Sequence, residues 1–208
     1  MNLLQRHDEW LSDRVGKITA SRVKDISAKP RKGKALNSIM LNLLKERLTG
    51  EITDFYINEA MQWGIDQEPN AIASYENITG EFVVGCGLIN HPTISMSGAS
   101  PDGLIGKDGL LEAKCPNTET HLNTILTRQV PDEYLPQITW QMACTGRKWC
   151  DFVSYDPRLP EQLQTVIIRV TIDDVDIDSL ENEVAACNAK LNEIIGSLTK
   201  EVVCEPSY

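Results

Sequence analysis

Ser100-Pro101-Asp102-Gly103-Leu104-Ile105-Gly106-Lys107-Asp108-Gly109-Leu110-Leu111-Glu112-Ala113-Lys114 is the stretch that decides the fold. Two apolar runs, Leu104-Ile105 and Leu110-Leu111, flank the turn signal Gly106-Lys107-Asp108-Gly109, which is the pattern of a β-hairpin. Side chains on a strand alternate faces, so Glu112 and Lys114 look the same way and the loop length decides where Asp102 points. A two-residue loop, Lys107-Asp108, would set Asp102 opposite Ala113 and turn it away. A three-residue loop, Lys107-Asp108-Gly109 with Gly109 left-handed, pairs Gly106 with Leu110 and Asp102 with Lys114. We expect the second, because it brings Asp102, Glu112 and Lys114 to one face.

That face has a definite chemistry. Two carboxylates are hard oxygen donors for a divalent cation, Mg²⁺ or alternatively Mn²⁺, and the backbone carbonyl of Ala113 is a candidate third oxygen. An ammonium beside them can position water and offset charge on a phosphodiester under attack, and two ions would sit beside the entering and leaving oxygens. Taken singly the fragments have plainer readings: Ser-Pro-Asp-Gly is also an ordinary turn, and Glu-Xaa-Lys also suits a solvated strand face.

Further blocks lie along the chain in a fixed order. They are Trp10-Leu11-Ser12-Asp13-Arg14-Val15-Gly16-Lys17-Ile18-Thr19-Ala20-Ser21, Trp63-Gly64-Ile65-Asp66-Gln67-Glu68, Leu111-Glu112-Ala113-Lys114-Cys115-Pro116, Tyr134-Leu135-Pro136-Gln137 and Tyr155-Asp156-Pro157-Arg158. With the hairpin they resemble the phage lambda exonuclease, or YqaJ-like, recombination nucleases of the PD-(D/E)XK superfamily. The resemblance implies an α/β fold with a central mixed β-sheet flanked by helices. It implies a Mg²⁺-dependent exonuclease that degrades the 5′-ended strand of duplex DNA, forms a homotrimeric ring and works with a single-strand annealing protein. It also implies a phage or prophage protein acting in the bacterial cytoplasm.

Residue by residue, the resemblance adds Glu68 as a further metal-reaching carboxylate and Gln137 as a glutamine pointing at the metal site. A second glutamine expected two residues on is Thr139 here, so the role of Gln141 stays open. Arg14, Ser21 and Ser100 correspond to a pocket for a 5′-terminal phosphate, for which a planar guanidinium and hydroxyl donors are chemically apt. Serines at such places are also ordinary N-cap and turn residues. Arg31 corresponds to a duplex-contacting loop arginine, and Met61 to an apolar side chain against the terminal base pair, although a helical Met is also common core packing.

The overall charge runs against a DNA-binding protein, and its distribution answers much of that objection. The 208 residues carry a formal charge of −10, but residues 1–50 hold eleven Lys/Arg against five Asp/Glu and the rest nine against twenty-five. The basic excess peaks at Lys29-Pro30-Arg31-Lys32-Gly33-Lys34, next to the N-terminal block; the run reads as a solvated loop or, beside that block, as a DNA-contacting one. Six cysteines without a Cys-Xaa-Xaa-Cys pair read as reduced thiols, no apolar run is long enough to span a membrane, and the opening residues do not read as a signal peptide. We expect one domain over 1–208, with a basic helical part at 1–50, a nuclease core at about 57–172 and a C-terminal helix at about 175–198.

The patterning predicts helices near 5–13, 20–28, 36–49, 57–79 (kinked by Pro69 near Glu68), 119–128 and 133–145. It predicts strands at 82–89, 94–97, 103–105, 110–115, 149–155 and 165–171. An endonuclease or junction-resolving enzyme on the same metal site, and a non-catalytic DNA-binding subunit, are the competing readings.

Overall fold

A computed structural model describes residues 12–52 and 58–201. Its principal sheet has five strands: β2 (Val83–Val84), β5 (Gly103–Ile105), β6 (Gly109–Lys114), β7 (Trp149–Tyr155) and β8 (Thr165–Thr171), ordered as named. Only β6 and β7 run parallel, so the sheet is mixed. A second sheet joins β1 (Ile18–Thr19), β4 (Ser97–Ala99) and β3 (Ile89–Asn90).

Two of the helices are bounded by caps visible in the sequence. Asn58 accepts from the Met61 amide and Gly80, at φ +74°, ends α2 (Glu59–Thr79); Asn37 and Gly50 bound α1 (Ser38–Thr49) in the same way. Pro69 lies inside α2 and withholds the donor that the Ile65 carbonyl would use, yet the helix continues past it. Ala71 and Tyr75 of α2 pack on the sheet face built by Ile105, Leu111, Ala113, Val153 and Tyr155. The opposite face, Leu110, Cys150, Phe152 and Val170, is covered by Ile138 and Met142 of α4 (Leu135–Thr145). The connection from β6 to β7 runs through α3 (Thr118–Thr127) and α4, as a parallel pair requires. A third cluster joins β1, α1 and α4 to α5 (Ile177–Glu201) through Ile18, Met40, Leu43, Trp140, Val184 and Leu191.

The hairpin differs from its expected register. Gly103 pairs with Leu111, Leu104 with Leu110 and Ile105 with Gly109, so the loop is Gly106-Lys107-Asp108 and the ladder points Asp102 at Glu112, not at Lys114. Gly106 takes the positive φ, +49°, in place of Gly109. The cause lies outside the hairpin: a Cβ on Gly109 would stand 2.2 Å from Trp149 ring carbons, so that glycine is spent on close packing against β7. Arg147 closes the loop end by donating to the carbonyls of Ile105, Gly106 and Gly109. Both three-residue loops preserve parity, so Asp102 keeps the face of Leu104 and Glu112.

Other boundaries moved as well. The strand expected at 82–89 is two dipeptide strands in different sheets, separated by Gly85 and Gly87. The strand expected at 94–97 begins instead at Ser97, and 20–28 is a 3₁₀ helix over Ala20–Asp25. β1 was not anticipated. The helix near 5–13 falls almost wholly outside the described residues.

Candidate active site

Three of the expected side chains meet at the C-terminal end of β6. Glu112 is fully buried, and its Oε1 accepts from both the Lys114 ammonium and the Gln137 amide. Its Oε2 accepts from Gln141. The parity of β6 explains the set: Leu110, Glu112 and Lys114 face α4, and Gln137 and Gln141 lie one turn apart on that helix. Asp102, half-buried, anchors its Oδ2 on the Ala113 amide at 2.8 Å. Burial pushes the Asp102 carboxyl well above the usual carboxylate range, the charges of Glu112 and Glu68 push it further, and Lys114 and the Ala113 amide oppose them. Burial alone would lower the Lys114 pKa, but Glu112 and Asp102 hold it above its ordinary value, so the ammonium stays charged. Glu68 approaches from α2, on the other side of the sheet, close enough for its charge to act on both Asp102 and Cys115.

This donor set suits a hard divalent cation. Two carboxylates share one neighbouring ammonium, and a divalent cation between them would relieve the repulsion from Glu112 that helps raise the Asp102 pKa. Among the described residues no three His, Cys, Asp or Glu side chains form a ready-made cage. Mg²⁺ needs none, since it keeps several waters and takes one or two protein carboxylates.

A second group forms beside the first. Arg14 Nη1 donates to Ser100 Oγ at 3.2 Å and Nη2 to Ser21 Oγ at 3.5 Å, while Thr19 Oγ1 lies 3.4 Å from Ser21 Oγ. Burial lowers the Arg14 pKa to about 10, with repulsion from Arg22 adding to it and Glu46 opposing; Arg14 therefore remains a cation at neutral pH. The parallel pairing of β1 with β4 brings the two serines together, because Ser21 follows β1 and Ser100 follows β4.

Arg31 and Met61 are not drawn into either group. Arg31 is exposed in the basic loop, and Met61 is 38% exposed in the first turn of α2. The plain core-packing reading of Met61 does not hold.

The structure settles the contact of Gln141, whose role the sequence leaves open, and its i, i+4 spacing from Gln137 is the signal for it. The Tyr155-Asp156-Pro157-Arg158 block has a contact that the sequence does not reveal. Asp156, fully buried, accepts from Thr118 at 2.6 Å and from the Arg158 fork, and these bonds hold its carboxyl at about 2 although burial opposes them. Arg158 also donates to the Pro116 carbonyl and stacks 4.8 Å over the Trp63 ring, tying the chain after β6 to α2, which carries Glu68.

Gln141→Leu leaves Glu112 Oε2 facing an apolar side chain. We expect turnover to fall roughly ten- to hundredfold at saturating metal, the scale for losing a partner that orients a ligand. Steady-state kinetics with a parallel melting curve checks this, and turnover within twofold of wild type would make Gln141 a packing residue.

A mixed sheet carrying an Asp and a Glu-Xaa-Lys on one face, beside a cluster of Arg14 with Ser21 and Ser100, has the fold of a nuclease of the PD-(D/E)XK kind. Residues 9–148 match the YqaJ-like viral recombinase domain, and the chain belongs to that family. It is similar to the alkaline exonuclease LHK-Exo of Laribacter hongkongensis, at 48% identity over 95% of this chain and 98% of the other, with a TM-score of 0.86. LHK-Exo in complex with dAMP superposes with a TM-score of 0.87 at the same identity and coverage. A phage-related exonuclease of Haemophilus somnus 129PT, 15% identical over 88% of this chain and 96% of its own, shares the fold with a TM-score of 0.64. No curated protein matches the chain significantly.

Proposed function

We propose that the chain is a metal-dependent exonuclease that digests the 5′-ended strand of double-stranded DNA from its ends and leaves a 3′ single-stranded tail for strand annealing. The observation that carries this reading is the short step from Ser100 to Asp102. Ser100 accepts from Arg14, and Asp102, two residues on, faces Glu112. Two residues of chain span at most about 7 Å. A terminal phosphate held by the Arg14 fork and the two serine hydroxyls therefore sets the next phosphodiester beside the carboxylates, and an enzyme that cuts internal sites has no use for such an anchor. The identity to an alkaline exonuclease supports the same reading.

The residues then divide the work. Arg14, Ser21 and Ser100 hold the end. Asp102, Glu112, the Ala113 carbonyl and Glu68 hold Mg²⁺, with Mn²⁺ as a substitute and two ions as the full complement. The bound cations supply Lewis-acid charge and lower the pKa of water. Lys114 orients the attacking water and offsets charge gathering on the phosphoryl oxygens, while Gln137 and Gln141 keep the Glu112 carboxylate oriented. Arg31 and Met61, both exposed, meet the duplex and its last base pair. A homotrimeric ring in the bacterial cytoplasm, with a single-strand annealing protein as partner, completes the proposal. No helix among the described residues is long and apolar enough to cross a membrane.

Linear and covalently closed circular duplex of one sequence, incubated with Mg²⁺ or with chelator, test the reading. Loss of the linear form alone, only with Mg²⁺, is expected. Nicking of the circle would favour the endonuclease, and binding without any cleavage would favour the non-catalytic subunit.

A further inference from the structure

We infer that Glu46 is a positioning residue of the end-recognition pocket: one buried carboxylate on α1 closes both ends of the segment that carries Arg14 and Ser21. The inference rests on the proposed phosphate pocket. It goes beyond that proposal by naming what holds the pocket in shape and what gives it selectivity for a phosphorylated end.

Glu46 is fully buried, and each of its oxygens is engaged. Oε2 accepts from the Gly16 amide at 2.9 Å and from Arg22 Nη1 at 2.8 Å, and Oε1 accepts from Arg22 Nη2 at 2.7 Å. Gly16 follows Arg14 by two residues, and Arg22 directly follows Ser21. The same carboxylate thus grips the chain within two residues of each of these pocket residues. Between the grips lies β1, whose pairing with β4 sets the position of Ser100. The next residue of α1 completes the hold, since Arg47 Nε donates to the Gly16 carbonyl at 2.8 Å. Both polar groups of Gly16 are therefore read by consecutive side chains of one helix. The site leaves no room for a substitute: Gly16 has φ +69°, and a Cβ there would meet Arg47 Cγ at 2.7 Å.

Charge gives Glu46 a second task. Arg14 and Arg22 bring two guanidinium groups near each other, and Glu46 is the anion that both feel. Its two-oxygen bond with Arg22 commits that fork, which also donates to the Lys17 carbonyl, and so leaves Arg14 as the fork aimed at Ser21 and Ser100. Without the carboxylate, Arg22 competes for any phosphate and the Gly16 turn loses its anchor. The pocket would still attract a dianion, but not at one place. Positioning, not attraction, is what turns end binding into a faster cut.

The test compares single-turnover digestion of 5′-phosphorylated and 5′-hydroxyl linear duplex at fixed salt and saturating Mg²⁺. Three variants run beside wild type: Glu46→Gln, the double variant Arg22→Leu/Glu46→Leu and Arg14→Ala. The double variant removes a buried ion pair as a unit, a change a fold often tolerates, and carries the test if Glu46→Gln does not fold. The expected result is that each Glu46 variant slows phosphorylated ends at least about tenfold more than hydroxyl ends, with KM for phosphorylated ends no higher than in wild type. Equal slowing on both ends, or no slowing, would overturn the inference and leave Glu46 as a tie between α1 and β1. If Arg14→Ala lowers the phosphate preference and the Glu46 variants do not, the inference alone fails. If none of the three lowers it, the pocket reading fails with it.

Discussion

Lys114→Ala is expected to lower hydrolysis of duplex ends by at least about a hundredfold in Mg²⁺ while metal and DNA binding persist, the scale of losing one preorganised electrostatic stabiliser. Lys114 donates to the oxygen of Glu112 that Gln137 also meets, and it shares a strand face with Glu112 because the two are separated by one residue. Its ammonium is held charged by Glu112 and Asp102. A cation fixed there acts mainly when negative charge gathers on the phosphoryl oxygens, so its loss falls on the transition state more than on the bound substrate. Metal binding has no reason to weaken, since alanine removes a positive charge from beside two carboxylates. If Lys114 only neutralised the buried Glu112, the variant would lose stability and keep its rate. Single-turnover digestion at saturating Mg²⁺, with calorimetric metal binding on the same preparation, separates the two, and a near wild-type rate would remove Lys114 from the chemistry.

How far such a site can be read from sequence depends on how local its causes are. The shared face of Glu112 and Lys114 follows from strand alternation alone. The side on which Asp102 falls follows from an odd loop length, so it survived an error in which three residues make the loop. The error itself was beyond local reading, because Gly109 is packed by Trp149 of β7 and the loop end is held by Arg147, both from far along the chain. Helices α1 and α2 were legible because Asn37, Gly50, Asn58 and Gly80 mark their ends. The small sheet was not, since strands of two or three residues such as β1 and β4 carry no measurable alternation. Glu46 shows the limit most plainly: in sequence it is one more helix glutamate, and only the packing of α1 against the Gly16 turn makes it a buried partner of the pocket. The residues proposed to act could be named from motif and chemistry. Those that hold them in place come from elements the motif does not contain.

Arg14→Ala is expected to slow digestion of 5′-phosphorylated duplex by roughly 30- to 150-fold, while changing digestion of 5′-hydroxyl duplex far less. Arg14 places its two terminal nitrogens toward Ser100 and Ser21, the geometry of a fork offered to phosphate oxygens. A charge-assisted contact in a partly dry site is worth about 2–3 kcal/mol, and each 1.36 kcal/mol is tenfold in rate. On the proposed reading the effect belongs to positioning: the end phosphate would be the anchor, and without its arginine the scissile bond would still reach Asp102 and Glu112 but sample many poses. A 5′-hydroxyl end has no dianion to hold, so the variant has little to lose there. The arginine is close to Arg22 and Glu46, and a contribution to folding would show as equal slowing on both substrates together with a lower melting temperature. The measurement is a two-by-two comparison of wild type and Arg14→Ala on phosphorylated and unphosphorylated ends at one salt concentration, because duplex contacts are strongly salt-dependent. A rate loss confined to phosphorylated ends assigns Arg14 to end recognition; equal loss on both would return it to the scaffold and strengthen the case for an enzyme that cuts without reference to an end.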